Sequence, residues 1–222
     1  AANRGVTGDT VAKFLFTSGT TGSPKAVIQT HGMLCSNQQI IQQSFAFMRD
    51  TPPVVVDWAP WNHTASGNKV FNMVHYNGGT YYIDDGRPTP DGIGRTIQTL
   101  REVSPTWYFN VPIGYQMLLE AFETDAELRH TFFKQLQMLF YAGAGMPQPV
   151  WDRLTAVAEA EVPGGVLLYA TCSVERQENE DVIDAFLERH ADCRLAAPDE
   201  LPESVRPWVD DRGRLHTRPH RH

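Results

Sequence analysis

Two short apolar runs, VAKFLF (11–16) and KAVIQ (25–29), flank the polar string Thr17-Ser18-Gly19-Thr20-Thr21-Gly22-Ser23-Pro24-Lys25. The runs read as strands, and Gly22 and Pro24 punctuate the connection between them. Five hydroxyl residues and two glycines fall within positions 17–24. Glycine lets a backbone take positive φ and approach a ligand closely. Successive amide N–H groups in such a turn form a nest for an anion. The hydroxyls of Thr17, Ser18, Thr20 and Thr21 can donate to phosphate oxygens, and Thr20 and Thr21 also suit a bound Mg²⁺. Lys25 adds a point charge able to reach phosphates. A Walker A loop is excluded, because that motif needs Gly-Lys-Ser/Thr opening a helix. Here Pro24 precedes Lys25 and a strand follows.

Downstream, strand-like and helix-like stretches alternate. PVVVDW (53–58), GTYYI (79–83) and LQMLFY (136–141) read as strands. Helices are expected over about 31–47, 92–102, 112–122, 125–135 and 148–160, the last with Val150, Leu154 and Val157 on one face. Such alternation argues for an α/β layered domain. Pro163-Gly164-Gly165 breaks the pattern. VLLYAT (166–171) reads as a further strand, and ENEDVIDAFLERH (178–190) as a helix burying Val182, Ile183, Phe186 and Leu187. After 191 the chain is irregular and ends in RGRLHTRPHRH, with too few apolar residues to pack alone, so a mobile tail is expected. The expected divisions are 1–161, 162–190 and 191–222.

A net charge of −7 argues against nucleic-acid binding by bulk charge. The three cysteines, Cys35, Cys172 and Cys193, make neither a disulfide framework nor a zinc pattern. Reduced thiols and a cytoplasmic protein are expected. No apolar run has the length of a membrane span. The opening AANRGVTGDT lacks the apolar stretch of a signal peptide and reads as a start inside a longer protein.

FLFTSGTTGSPKAVIQTHG resembles the signature loop of the adenylate-forming superfamily, which includes acyl- and aryl-CoA synthetases, luciferases and peptide-synthetase adenylation domains. VVVDWAPWNHTASGN, GTYYIDDGRP, REVSPTWYFNVPIGYQMLL and LFYAGAGMPQPVWDRL extend the resemblance over about residues 1–160 and look like feruloyl-CoA synthetases. The resemblance implies an incomplete layered sheet with flanking helices. It implies activation of a carboxylate by ATP to an acyl-adenylate, then displacement of AMP by CoA. Small-molecule carboxylate and nucleotide would be the partners, with neither RNA nor membrane involved. Residues 17–25 would hold the β- and γ-phosphates, and Gly143, Ala144 and Gly145 would pack against adenine. His63, Asn110, Val111 and Pro112 would line the acyl pocket, with Trp61 and Phe109 as possible apolar walls. Lys25 and His63 would be the catalytic positions.

The resemblance ends near Glu161. The family's Tyr/Trp-Gly-x-Thr-Glu motif, its ribose-binding Asp and the mobile C-terminal domain with its Lys do not follow, and part of the usual N-terminal domain is not represented. Without those preorganised groups the chain is expected to be incompetent alone. VPGGVLLYATCSVERQENEDVIDAFLERHADCRL instead resembles the C-terminal part of Sun/Fmu-type ribosomal-RNA cytosine-5 methyltransferases, and RGRLHTRPHRH resembles the segment before that family's last strand. This second resemblance implies a strand–helix from a Rossmann-like fold, with Cys172 at the nucleophile position after a strand end. That family's glycine-rich S-adenosylmethionine loop, acidic ribose-binding residue and Pro-Cys motif are absent. The two resemblances together imply a chimeric reading frame joined near 160–163, whether by fusion, recombination or misassembly, and a non-catalytic hybrid is one reading of it.

Overall fold

The computed structural model describes residues 2–17, 25–162, 175–191, 193–203 and 205–215. The loop residues Ser18–Pro24, the strand expected at 166–171 and Cys172 lie outside the described residues. The chain divides into two compact units, Ala1–Gly164 and Gly165–His222.

In the first unit, β1 (Val11–Thr17) and β2 (Lys25–Thr30) form an antiparallel hairpin. The register sets Phe14 opposite Ile28 and Thr17 opposite Lys25. Thr30 caps α1 (His31–Ser44) by accepting from the Met33 amide at 3.3 Å, and a 3₁₀ turn, Ala46–Arg49, follows. β3 (Val54–Asp57) then pairs in parallel with β4 (Thr80–Ile83).

The crossover between β3 and β4 is helical. A π-helical segment, Thr64–Val70, runs into α2 (Phe71–Tyr76). The sequence reading assigned no helix here. The reason is visible in the residues: Thr64, Ser66, Gly67 and Asn68 are poor helix formers. Gly67 is needed because a Cβ there would stand 1.8 Å from the Trp61 carbonyl oxygen. Close packing, which leaves no propensity signal, selects the residue.

After α3 (Ile93–Glu102), β5 (Trp107–Asn110) leads to α4 (Pro112–Thr124) and α5 (Ala126–Phe133). β6 (Met138–Tyr141) lies parallel to β5, and α6 (Gln148–Glu161) follows. The two parallel pairs adjoin. The Thr106 amide donates to the Val54 carbonyl at 3.0 Å where both strands start, and Trp58 Nε1 donates to Asn110 Oδ1 at 3.1 Å where both end. The C-terminal ends of β3, β4, β5 and β6 therefore share one edge.

The pleat divides the core. Val56 and Tyr108 face a cluster built with Leu100 of α3, Leu118 and Phe122 of α4, Phe132 of α5, and Val150 and Leu154 of α6. Val55, Trp107 and Phe109 face the opposite cluster, with Ile41 of α1 and Met73 and Val74 of α2. Helices thus cover both faces, which is the expected α/β layering. Val150 and Leu154 are buried, and Val157 packs against the same cluster.

In the second unit a 3₁₀ turn, Arg176–Glu178, precedes α7 (Glu180–Arg189). Glu180 and Asp181 in the first turn and Arg189 in the last suit the helix dipole. The expected buried face of α7 is corrected: none of its side chains is buried, and Val182 is exposed. Its apolar period exists, but beside exposed Val182 the residues Ile183, Phe186 and Leu187 are only half-buried. The described part of the tail includes turns and ion pairs. Arg194 grips Glu200 with both terminal nitrogens at 2.7 Å, and Val209 bridges Leu215.

Candidate functional site

The shared strand edge is where a parallel α/β sheet presents its loops. At the end of β3, Asp57 is buried, yet its carboxylate is fully used. Oδ1 accepts from the Ala59 amide at 2.9 Å, and Oδ2 accepts from Ser66 Oγ at 2.5 Å and Tyr81 Oη at 2.7 Å. Burial, followed by the Asp57 hydrogen bond, pushes the Tyr81 phenol up to about 12. Trp61 Nε1 donates to the same phenol oxygen at 3.1 Å, while its ring packs 5.0 Å from Phe71. Trp61 itself is 49% exposed. A half-open aromatic wall therefore stands on a rigid acid–phenol brace.

His63 follows on the same loop and is exposed. Its Nδ1 accepts from the Ala65 amide at 3.2 Å, capping the π-helical segment. A ring held this way carries its neutral-state proton on Nε2. At the end of β4, Asp84 is similarly buried and accepts from Thr96 Oγ1 at 2.5 Å and the Gly86 amide at 3.2 Å.

At the end of β5, Asn110 is fully buried. Its Oδ1 accepts from Trp58 Nε1 and from the Val111 amide at 2.9 Å, and its Nδ2 donates to Tyr108 Oη at 3.1 Å. The amide thus braces two strand ends, and its polar atoms are occupied by protein. A Cβ on Gly114 would meet Asn110 Oδ1 at 2.1 Å, so α4 packs directly on that brace. Val111 is half-buried, and Pro112 is buried at the first turn of α4, where its missing N–H costs nothing. Phe109 faces the core.

At the end of β6, Gly143 takes φ +99°, and Ala144 and Gly145 beside it are exposed. A Cβ on Gly143 would lie 3.5 Å from Val111 Cγ1, whereas one on Gly145 would meet nothing within 4 Å. Tyr115 Oη of α4 donates to the Phe140 carbonyl at 2.9 Å and the Tyr108 carbonyl at 3.2 Å, fixing both strand ends. The result is a turn with an open backbone face beside Val111, a shape that suits a planar base.

The structure thus brings Trp61, His63, Asn110, Val111, Pro112 and Gly143–Gly145 to one edge. Thr17 and exposed Lys25 pair at the end of the described part of the hairpin. Ser18, Gly19, Thr20, Thr21, Gly22 and Cys172 lie outside the described residues. Among the described residues no group of His, Cys, Asp or Glu is placed to hold a metal, and no helix is long and apolar enough to cross a membrane. Asp57, Ser66, Tyr81 and Asp84 escaped the sequence reading. The signal available for Asp57 was an acid closing the apolar run VVV.

Comparison with known proteins follows this geometry. The family model for AMP-binding enzymes matches residues 2–165, and that for 16S rRNA methyltransferase RsmB/F matches residues 150–222. Long chain acyl-CoA synthetase 6, peroxisomal, of Arabidopsis thaliana is 26% identical over 73% of this chain and 23% of its own length. The probable ribosomal RNA small subunit methyltransferase B of Bacillus subtilis is 45% identical over 30% of this chain and 15% of its own. Among solved structures, a malonyl-CoA ligase ternary product complex with methylmalonyl-CoA and AMP superposes with TM-score 0.56 at 22% identity, covering 69% of this chain and 32% of that one. ATP-bound MatB from Rhodopseudomonas palustris gives TM-score 0.52 at 23% identity, over 68% of this chain and 27% of that one. These superpositions speak to fold. The chain spans under a quarter of the curated relatives named here and about a third of the ligase structure. The two family models overlap at 150–165, so resemblance changes hands at α6 and just after it, and the chain joins pieces of two families.

Proposed function

Because residues 2–165 make this chain a member of the AMP-binding enzyme family, we propose that it is a piece of an ATP-dependent acyl-CoA synthetase, cytoplasmic, that activates an aromatic carboxylate of the hydroxycinnamate class through an acyl-adenylate. The observation that carries this reading is the single strand edge described above. One end of it offers an open glycine turn for a flat base, and the other a half-exposed Trp61 and His63 for an aromatic acid. Thr17 to Lys25 would hold the ATP phosphates, with Thr20 and Thr21 toward Mg²⁺. Gly143, Ala144 and Gly145 would take the adenine. ATP would supply the adenylyl group and the leaving pyrophosphate, Mg²⁺ would offset the charge of its phosphates, and CoA would accept the acyl group in the intact enzyme. The chain's own residues bind and orient; the groups the family uses at the ribose and the α-phosphate are not in this sequence. We expect ATP to raise the melting temperature, while ATP, Mg²⁺, ferulate and CoA together release little pyrophosphate. Turnover at the level of an intact synthetase would overturn the incompetence, and no thermal shift with ATP would overturn the binding.

A second reading rests on the RsmB/F match. Residues 162–222 would be the end of an S-adenosylmethionine-dependent rRNA methyltransferase with Cys172 as nucleophile, which keeps RNA as a partner for this part. Covalent trapping of 5-fluorocytosine RNA in the presence of S-adenosylmethionine tests it, and we expect none, since the cofactor-binding motifs are missing. Sequencing genomic DNA across codons 150–175 separates a genuine fusion from two unjoined parent genes.

A further inference from the structure

β4 is the outer strand of its pair, and its ladder shows which backbone groups are left over. The Thr80 amide donates to the Pro53 carbonyl at 2.8 Å, and the Asp84 amide to the Asp57 carbonyl at 3.0 Å. Thr80, Tyr82 and Asp84 therefore turn their amides toward β3. By the alternation of a parallel ladder, Tyr81 and Ile83 turn theirs away from it. β3 is taken on its other side by β5, through the Thr106–Val54 bond. Among the described residues no strand pairs with the outer edge of β4, and no hydrogen bond reaches the outward amides and carbonyls of Tyr81 and Ile83. The strand reads Thr-Tyr-Tyr-Ile, with no proline or charge to blunt such an edge.

The two faces beside this edge differ. Tyr81 and Ile83 lie on the face of Val55, or one residue beyond its partner, and Ile83 is 72% exposed. Tyr82 lies on the face of Val56, toward α3. There a cavity of about 420 Å³ opens between Tyr82, Asp85, Arg95, Glu102 and Val103, room for one long side chain. Arg95 is taken by Asp85 at 2.5 Å. The Glu102 carboxylate has no ion pair or hydrogen bond among the described residues. Two carboxylates against one guanidinium leave the lining with an excess negative charge.

We propose that the β4 edge docks an extended segment of a partner protein, a strand alternating apolar and basic residues, which adds to the sheet beside β4. Its backbone pairs with the outward groups of Tyr81 and Ile83. Its apolar side chains cover Ile83, and a lysine or arginine between them enters the cavity toward Glu102. Side chains of a strand alternate between faces, so apolar–basic–apolar is the order that satisfies both sides at once. Pairing of β4 with β4 of a second copy would bring Tyr82, not a cation, to Glu102. The site stands independently of any acyl-adenylate chemistry.

Blocked heptapeptides test this on the full chain: Val-Thr-Val-Arg-Val-Thr-Val, the same with glutamate for arginine, and the arginine peptide N-methylated at its inner amides. Nuclear magnetic resonance reads amide exchange residue by residue, and titration gives Kd. We expect the arginine peptide at about 1 mM to slow exchange at Tyr81 and Ile83 at least about threefold and to leave Thr80 unchanged. The glutamate peptide should bind about fivefold more weakly, and the N-methylated one not at all. Glu102→Gln, an exposed position, should bring the arginine and glutamate peptides level. Unchanged exchange at Tyr81 and Ile83, equal binding of the arginine and glutamate peptides to the parent chain, or equal binding of the N-methylated peptide overturns the proposal. So does protection of those two amides that rises with protein concentration alone, which would give the edge to a second copy.

Discussion

Asp57 shows how much of this site hangs on single residues. Its buried carboxylate satisfies an amide, a hydroxyl and a phenol. Asp57→Ala strands all three donors in a dry place, and we expect a loss on the order of 3 kcal/mol in urea unfolding. Tyr81→Phe removes one donor and leaves the acid two others, so about 1 kcal/mol is expected. Equal costs for the two would mean that the carboxylate is not the hub. Lys69 gives the pH dependence. Burial lowers its folded pKa to about 7, below the ordinary lysine value of 10.5, so the unfolded chain binds more protons between those values. Stability from this group therefore rises with pH through that window, and the full penalty applies below 7. Lys69→Met should be more stable than the parent at about pH 6, by a margin that narrows toward about pH 10. A margin constant across that range would show that the amine stays charged when folded.

At the scale of elements, the hairpin carries an unpartnered surface. Phe14 lies opposite Ile28 and Phe16 opposite Ala26, so these four share one face. Phe14, Phe16 and Ile28 are 59%, 69% and 54% exposed. Changing Phe14 and Phe16 to Thr keeps a strand-forming residue while removing the apolar face. We expect stability to move by no more than about 0.5 kcal/mol per change, with lower light scattering as concentration rises. A large loss of stability would place those rings in the core instead. The same strands show what a sequence makes legible. β1 to β4, β6 and helices α1 and α3 to α6 were readable because each carries its own apolar period, whereas β5, four residues buried on both faces, was not read as a strand. The Thr64–Tyr76 helix was not, since tight packing of Gly67 on Trp61 decides it. The polar string at 17–25 stands out from local composition, and its residues 18–24 lie outside the described residues. The Asp57–Ser66–Tyr81 brace was not, because its members come together only when β3 pairs with β4. Asn110 was expected at an acyl pocket by resemblance, and its commitment to Trp58 and Tyr108 is a tertiary fact. For α7, periodicity marked an apolar face correctly and could not say what would cover it.

At the scale of the molecule, the buried hydrophobic residues described run from Ile41 to Leu154, all inside the first unit. The last element of that unit, α6, closes one core cluster through Val150 and Leu154, and Arg129 pairs with Glu161 at 2.6 Å near its end. The change of family falls at this same place, within 150–165. A joint there leaves the synthetase-like layers with their own helical cover, because α6, which both matches include from residue 150, supplies Val150 and Leu154 to the cluster. Every described residue of both clusters belongs to the first unit. A chain stopping after Gly164 should therefore keep the near-ultraviolet circular dichroism of the aromatic core and melt cooperatively, with its midpoint within a few degrees of the main transition of the full chain, a shift of under about 1 kcal/mol. A second version ending after Pro147 removes α6 and exposes Leu118, Phe122 and Phe132, and should lose that cooperative transition. If the Gly164 version also melts without cooperativity, the methyltransferase-like segment is part of what holds the synthetase-like layers together, and the two pieces fold as one.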